Sequence, residues 1–150
     1  MIMSKTQEFL SITLIITLFL ACSGEKNKSD TENESNFKGS DTEVVLDEGK
    51  KWKVNDYTNV GVSILKKVTD QFDPAGEIED YQRLSEDIER EFKLIFKNCT
   101  MEGEGHEQLH NYLYPIVKMY RGLREGDVQS REEFRLALLN HLGEYLLYFE

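Results

Sequence analysis

The stretch Tyr81-Gln82-Arg83-Leu84-Ser85-Glu86-Asp87-Ile88-Glu89-Arg90-Glu91-Phe92-Lys93-Leu94-Ile95 decides the fold. Apolar residues recur at Tyr81, Leu84, Ile88, Phe92 and Ile95, always three or four apart, with charged residues between them. Alternation by two would mark a strand. This spacing instead marks an α-helix with one apolar face. It predicts a helix over 77–98, and Cys99 is the next term of the same stripe.

Working outward, three further segments repeat the pattern. Residues 57–72 carry Tyr57, Val60, Ile64, Val68 and Phe72 at helical spacing. Residues 106–124 carry His106, His110, Leu113, Val117 and Tyr120. Residues 131–149 carry Phe134, Leu138, Leu142, Tyr145 and Phe149, with His141 on that face too. The last segment opens with Ser130-Arg131-Glu132-Glu133, the pattern of a capping box. Asp73-Pro74-Ala75-Gly76, the glycines at 103 and 105, and Gly126-Asp127 punctuate the four segments. Connections this short favour antiparallel neighbours, so the expected fold is all-α, an up-down-up-down four-helix bundle. Pro115 should kink the third helix and free the carbonyl of Asn111.

Ahead of the bundle, Val44-Val45-Leu46 and Trp52-Lys53-Val54 flank Asp47-Glu48-Gly49-Lys50-Lys51. This reads as a small hairpin or a short extended arm, with Trp52 covering one end of the core.

The first 22 residues read as a sorting signal. Lys5 precedes an apolar run from Phe9 to Leu20, too short for a spanning helix, and Leu20-Ala21-Cys22-Ser23-Gly24 follows. A small residue directly before Cys resembles the lipobox of bacterial lipoproteins, although Phe19 stands where that pattern has Leu. The resemblance implies that Cys22 becomes the lipidated N-terminus, bound to a membrane by its acyl chains. Residues 23–43 are polar, with Phe37 the only large apolar residue, and read as a flexible tether. Residues 44–150 are then the folded domain. An anchored chain of this kind belongs in the cell envelope, facing the periplasm or the outside, where an envelope protein would be its partner.

The net charge of −10 argues against nucleic acid and against electrostatic binding to anionic lipid, both of which need a basic face. The chain has two cysteines. With Cys22 consumed by lipid, Cys99 is the only thiol left, so no internal disulfide can form. An exported lone thiol needs burial, a metal or a partner.

The chemistry concentrates in Cys99-Thr100-Met101-Glu102-Gly103-Glu104-Gly105-His106-Glu107-Gln108-Leu109-His110. Cys99 ends one helix, His106 and His110 lie one turn apart on the next, and the glycines let the chain turn back between them. All three should converge on one mouth of the bundle, with Met101 folded over them. Thiolate, thioether and imidazole together select copper, or zinc at Cys and His alone. His141 lies deeper, as a further ligand or as a hydrogen-bond partner of one.

His106-Glu107-Gln108-Leu109-His110 also matches H-E-x-x-H, the zinc-hydrolase pattern. Glu107 would be the general base there, and His141 or a nearby carboxylate the third ligand. A small all-helical domain lacks a strand to hold an extended substrate, so this hydrolase reading stands behind a non-catalytic one. There is no nucleophile elbow, no phosphate-cradling glycine loop and no haem-attachment motif.

Several motifs together carry a family resemblance: Lys51-Trp52-Lys53-Val54-Asn55, Cys99-Thr100-Met101-x-Gly103, His106-x-x-Leu109-His110-x-x-x-x-Pro115, and Tyr148-Phe149. They resemble a family of small lipoproteins from Bacteroidetes-type bacteria. The resemblance covers most of the mature chain. It implies a signal, a charged tether and a helical domain with a C-T-M-x-G-x-x-H-x-x-L-H core, and it implies no settled activity. The expectation is therefore a lipid-anchored envelope protein that binds copper, for buffering, sensing or delivery, through Cys99, Met101, His106, His110 and His141. The competing expectation is a non-catalytic interaction lipoprotein whose Cys/His cluster is packing.

Overall fold

The computed structural model describes residues 43–150. The expected signal at 1–22, the lipidation site Cys22 and all but the last residue of the tether at 23–43 lie outside the described residues. The fold is an all-helical bundle. Its elements are α1 (Asp56–Asp70), α2 (Ile78–Asn98), α3 (Gly103–Glu125), α4 (Val128–Gly143) and the single turn α5 (Tyr145–Tyr148). α1 packs against α2 and α4, α2 against α3, and α3 against α4. None of the described helices is long and apolar enough to cross a membrane.

α2 behaves as its periodicity requires. Tyr81, Leu84, Ile88, Phe92 and Ile95 are all buried. Each such side chain contributes about 1.5–3 kcal/mol relative to an exposed one. Glu77 and Asp80 form a capping box across the first turn, in which each side chain accepts from the other residue's backbone N–H, the Glu77 N–H donating to Asp80 Oδ2 at 2.8 Å.

α1 departs from its periodicity. Its buried residues are Thr58, Gly61, Val62, Leu65 and Thr69. The expected stripe faces outward instead, with Tyr57 65%, Val60 56% and Ile64 39% exposed. Only its lower end, Val68 and Phe72, packs on the core. The reason is Gly61. A Cβ there would stand 2.4 Å from Ile95 Cγ1, so α2 presses directly onto the α1 backbone. A pattern that counts apolar bulk does not single out a contact face in which Val62 and Leu65 are the only large apolar residues beside Thr58, Gly61 and Thr69.

α3 starts at Gly103, three residues earlier than expected. Gly103 has φ +68, so it supplies the sharp turn. Gly105 lies inside the helix and serves a different need. A Cβ at Gly105 would meet Trp52 Cε3 at 3.1 Å, so its bareness admits the indole.

α4 is capped by Asp127, whose Oδ1 accepts from the Ser130 N–H at 2.8 Å. Ser130 is therefore a first-turn residue and not the cap. The expected single helix over 131–149 also breaks at Glu144 before α5. Leu138 and Leu142 are buried as expected, but so are Arg131 and Arg135. Arg131 donates to the carbonyls of Leu123 and Gly126, closing the end of α3. Arg135 grips both oxygens of Glu132 at 2.7 Å and donates to Thr69 O at 3.1 Å. Tyr81 OH donates to the same Glu132 carboxylate at 3.0 Å. One ion pair thus ties α1, α2 and α4 together, and each side-chain nitrogen of Arg135 has an acceptor.

The arm makes a tight turn in which Asp47 and Lys50 exchange backbone hydrogen bonds, with positive φ at Glu48 and Gly49. It then runs extended beside the end of the chain. Trp52 N–H donates to Tyr148 O at 2.8 Å, Glu150 N–H to Trp52 O at 2.9 Å, and Val54 N–H to Glu150 O at 3.0 Å. Trp52 packs against the core as expected. Its indole N–H donates to Val45 O at 2.6 Å, and Val45 N–H donates to Gln108 Oε1 on α3.

Candidate functional site

The short link from Cys99 to Glu102 brings the end of α2 to the start of α3. Cys99 leaves the helix in an extended conformation, with its N–H still donating to Phe96 O. Asn55 fixes this corner from α1: its Nδ2 donates to Asn98 O at 3.1 Å and to Thr100 Oγ1 at 3.3 Å. The same side chain's Oδ1 caps α1 through the Thr58 N–H at 2.8 Å.

At this corner Cys99 Sγ lies 3.5 Å from His106 Nδ1, within hydrogen-bonding range for sulfur. The rings of His106 and His110 are 4.2 Å apart, centre to centre, tilted by 48°. The ring of Phe96 stands 5.0 Å from that of His110 on its other side. Cys99, His106 and His110 are all half-buried. Burial lowers the pKa of His110, and the neighbouring His106 lowers it further, so His110 favours the neutral imidazole. Phe96 was not legible as part of this site. It lies one residue beyond Ile95, off the stripe of α2, and only the return of α3 places a histidine on it.

Met101 is half-buried on the core near Gly105, where its Cε would stand 3.4 Å from an added Cβ. It also lines a cleft of about 880 Å³ with Trp52, Lys53, Glu102 and Glu104. Glu107 is exposed.

His141 is engaged elsewhere. Its Nε2 donates to Tyr112 O at 2.8 Å, and its ring stacks on Tyr112 at 4.4 Å. Tyr112 OH donates back to His141 O at 2.8 Å. The carbonyl that Pro115 deprives of its helical donor is that of Asn111, as expected from the missing N–H. The carbonyl His141 serves is the next one, that of Tyr112, which keeps Ile116 as its helical donor position. Burial raises the phenol pKa of Tyr112.

The structure therefore brings together Cys99, His106 and His110, keeps Met101 at their border, and gives His141 a hydrogen bond across the α3–α4 seam. Among the described residues, no group of three or more His, Cys, Asp or Glu side chains forms a ready-made metal cage. The chain matches no protein-family model, none of the curated proteins compared with it and no solved structure.

Proposed function

We propose that this chain is a lipid-anchored envelope protein that binds a soft transition metal, copper before zinc, at Cys99, His106 and His110. Met101 is the fourth donor for copper. Its role is to buffer, sense or pass on the ion to an envelope partner. The observation that carries the reading is the 3.5 Å between Cys99 Sγ and His106 Nδ1. A zinc-like ion sits about 2.3 Å from thiolate sulfur and about 2.0–2.1 Å from imidazole nitrogen, so a tetrahedral angle at the metal spaces these atoms about 3.5–3.6 Å apart. The same spacing also suits a hydrogen bond between the two side chains. A neutral His110 is the form that ligates. His141, held by Tyr112, steadies the seam behind the site and is not one of the ligands in this proposal. Glu107, exposed on α3, is given no role as a base.

Titration of the purified chain with Cu(I), Cu(II) and Zn(II) tests the proposal. The expected result is one ion per chain, tightest for Cu(I), with binding lost in Cys99→Ser combined with His110→Ala. Absence of saturable binding, or binding unchanged in that double variant, returns the cluster to a packing role. One observation favours that second reading: Cys99 and Met101 both pack against the hydrophobic core.

A further inference from the structure

We infer that the outer face of α1 is a self-association surface, on which a second copy of this chain docks its own α1 in the opposite direction. α1 is apolar on two sides. One side, through Val62 and Leu65, makes the bundle core, with Val62 2% and Leu65 0% exposed. The other carries Tyr57, Val60 and Ile64 in the open. These residues recur at steps of three and four, and Lys67 is the next at that spacing. This is the seam of a two-helix contact, in which apolar knobs enter holes between residues of the facing helix. A hole is present: a shallow groove of about 310 Å³ lined by Asn59, Val60, Ser63, Ile64 and Lys67.

The charges select the occupant and its direction. Asp56 stands at one end of the line and Lys67 at the other, both exposed. Among the described residues neither side chain makes an ion pair. A second α1 laid antiparallel, about a two-fold axis level with Val62, places Val60 against Ile64 of the second copy. It also brings Lys67 over the ring of Tyr57 and beside Asp56 of the second copy. Each contact then occurs twice, as closed two-fold symmetry requires. A parallel copy would set Lys67 against Lys67. The helix carries Asp56, Asp70, Lys66 and Lys67, so it is charge-balanced. Two copies of a −10 chain can meet there without adding repulsion at the contact. The apolar line is small beside the ~800 Å² per partner of a standard interface, so the dimer is weak and concentration-dependent.

The test is sedimentation equilibrium of the full chain in density-matched detergent, at concentrations up to about 1 mM. The expected result is a monomer–dimer equilibrium. Asp56→Lys alone and Lys67→Asp alone should each weaken the dimer about tenfold, by setting like charges together at both ends. An equimolar mixture of the two variants should regain wild-type association, because every end contact then pairs opposite charges. Val60→Glu with Ile64→Glu should be monomeric with an unchanged melting temperature, since both sites are exposed. A wild-type chain monomeric at every concentration overturns the inference. So does a mixture of the charge variants that stays as weak as each alone.

Discussion

α1 and α2 have the same kind of sequence and opposite outcomes. Each shows apolar residues at three- and four-residue steps. In α2 that line is the core. In α1 Tyr57, Val60 and Ile64 of that line face outward, and the core contact runs through Thr58, Gly61, Val62, Leu65 and Thr69. The difference teaches what helical periodicity measures. It locates apolar bulk on a helix, but the neighbour decides which face is covered. Where that neighbour comes close, as Ile95 does at Gly61, a small residue admits it and Val62 and Leu65 beside it fill the core.

The largest effect that can break this contrast is a core truncation. Leu65→Ala in α1 and Ile88→Ala in α2 should each destabilise the fold by about 2–5 kcal/mol, whereas Ile64→Ala should change it by less than about 0.5 kcal/mol. Urea denaturation of the three variants measures this. If Ile64→Ala costs as much as Leu65→Ala, the face of α1 is assigned wrongly.

Gly61 sharpens the contrast. Its bareness lets Ile95 stand where a Cβ would be, so Gly61→Ala should destabilise the bundle by about 1–3 kcal/mol through overpacking. This is the reverse of the usual gain from replacing a helical glycine with alanine. A more stable Gly61→Ala protein would show that the two helices have room to spare.

The smallest effect concerns the outer side of α2, which, unlike that of α1, is held by charge. Glu89 is bonded by Arg124 of α3 and lies 3.0 Å from Lys93. The bond from Arg124, ahead of Lys93, lowers the Glu89 pKa below its ordinary value. A carboxylate with a depressed folded pKa adds stability above its unfolded pKa and loses it as pH falls through the folded one. Glu89→Gln should therefore cost about 0.2–1 kcal/mol near neutral pH, and the gap should close in acid below the folded pKa. A gap that persists there would mean the side chain acts by packing.

Some of this architecture was legible in the residues. α2 was, because a buried stripe of large side chains leaves a strong period. Leu138 and Leu142 of α4 were legible for the same reason. The meeting of Cys99 with His106 and His110 followed from two helices joined by a short link, since the link fixes which ends touch. Arg131 and Arg135 were not legible. Arginine at helical spacing reads as surface until its acceptors, the carbonyls ending α3 and the Glu132 carboxylate, are known. The place of His141 was hidden for a related reason. Its partner is the backbone carbonyl of Tyr112, and no side-chain pattern announces a carbonyl. The cap at Asp127 lost to Ser130 because both precede an apolar run, and only the turn geometry separates them.

The three hydrogen bonds between Trp52–Val54 and Tyr148–Glu150 close a loop that spans nearly the whole described chain. A contact of such long sequence separation carries a large chain-closure entropy before it is rewarded, so it forms late in folding and opens early in local unfolding. The arm is then a latch, and Trp52, the only tryptophan, sits in it. Its fluorescence reports latching separately from helix formation. Hydrogen exchange should accordingly release the amides of Trp52 and Glu150 well before those of Ile88 and Leu113.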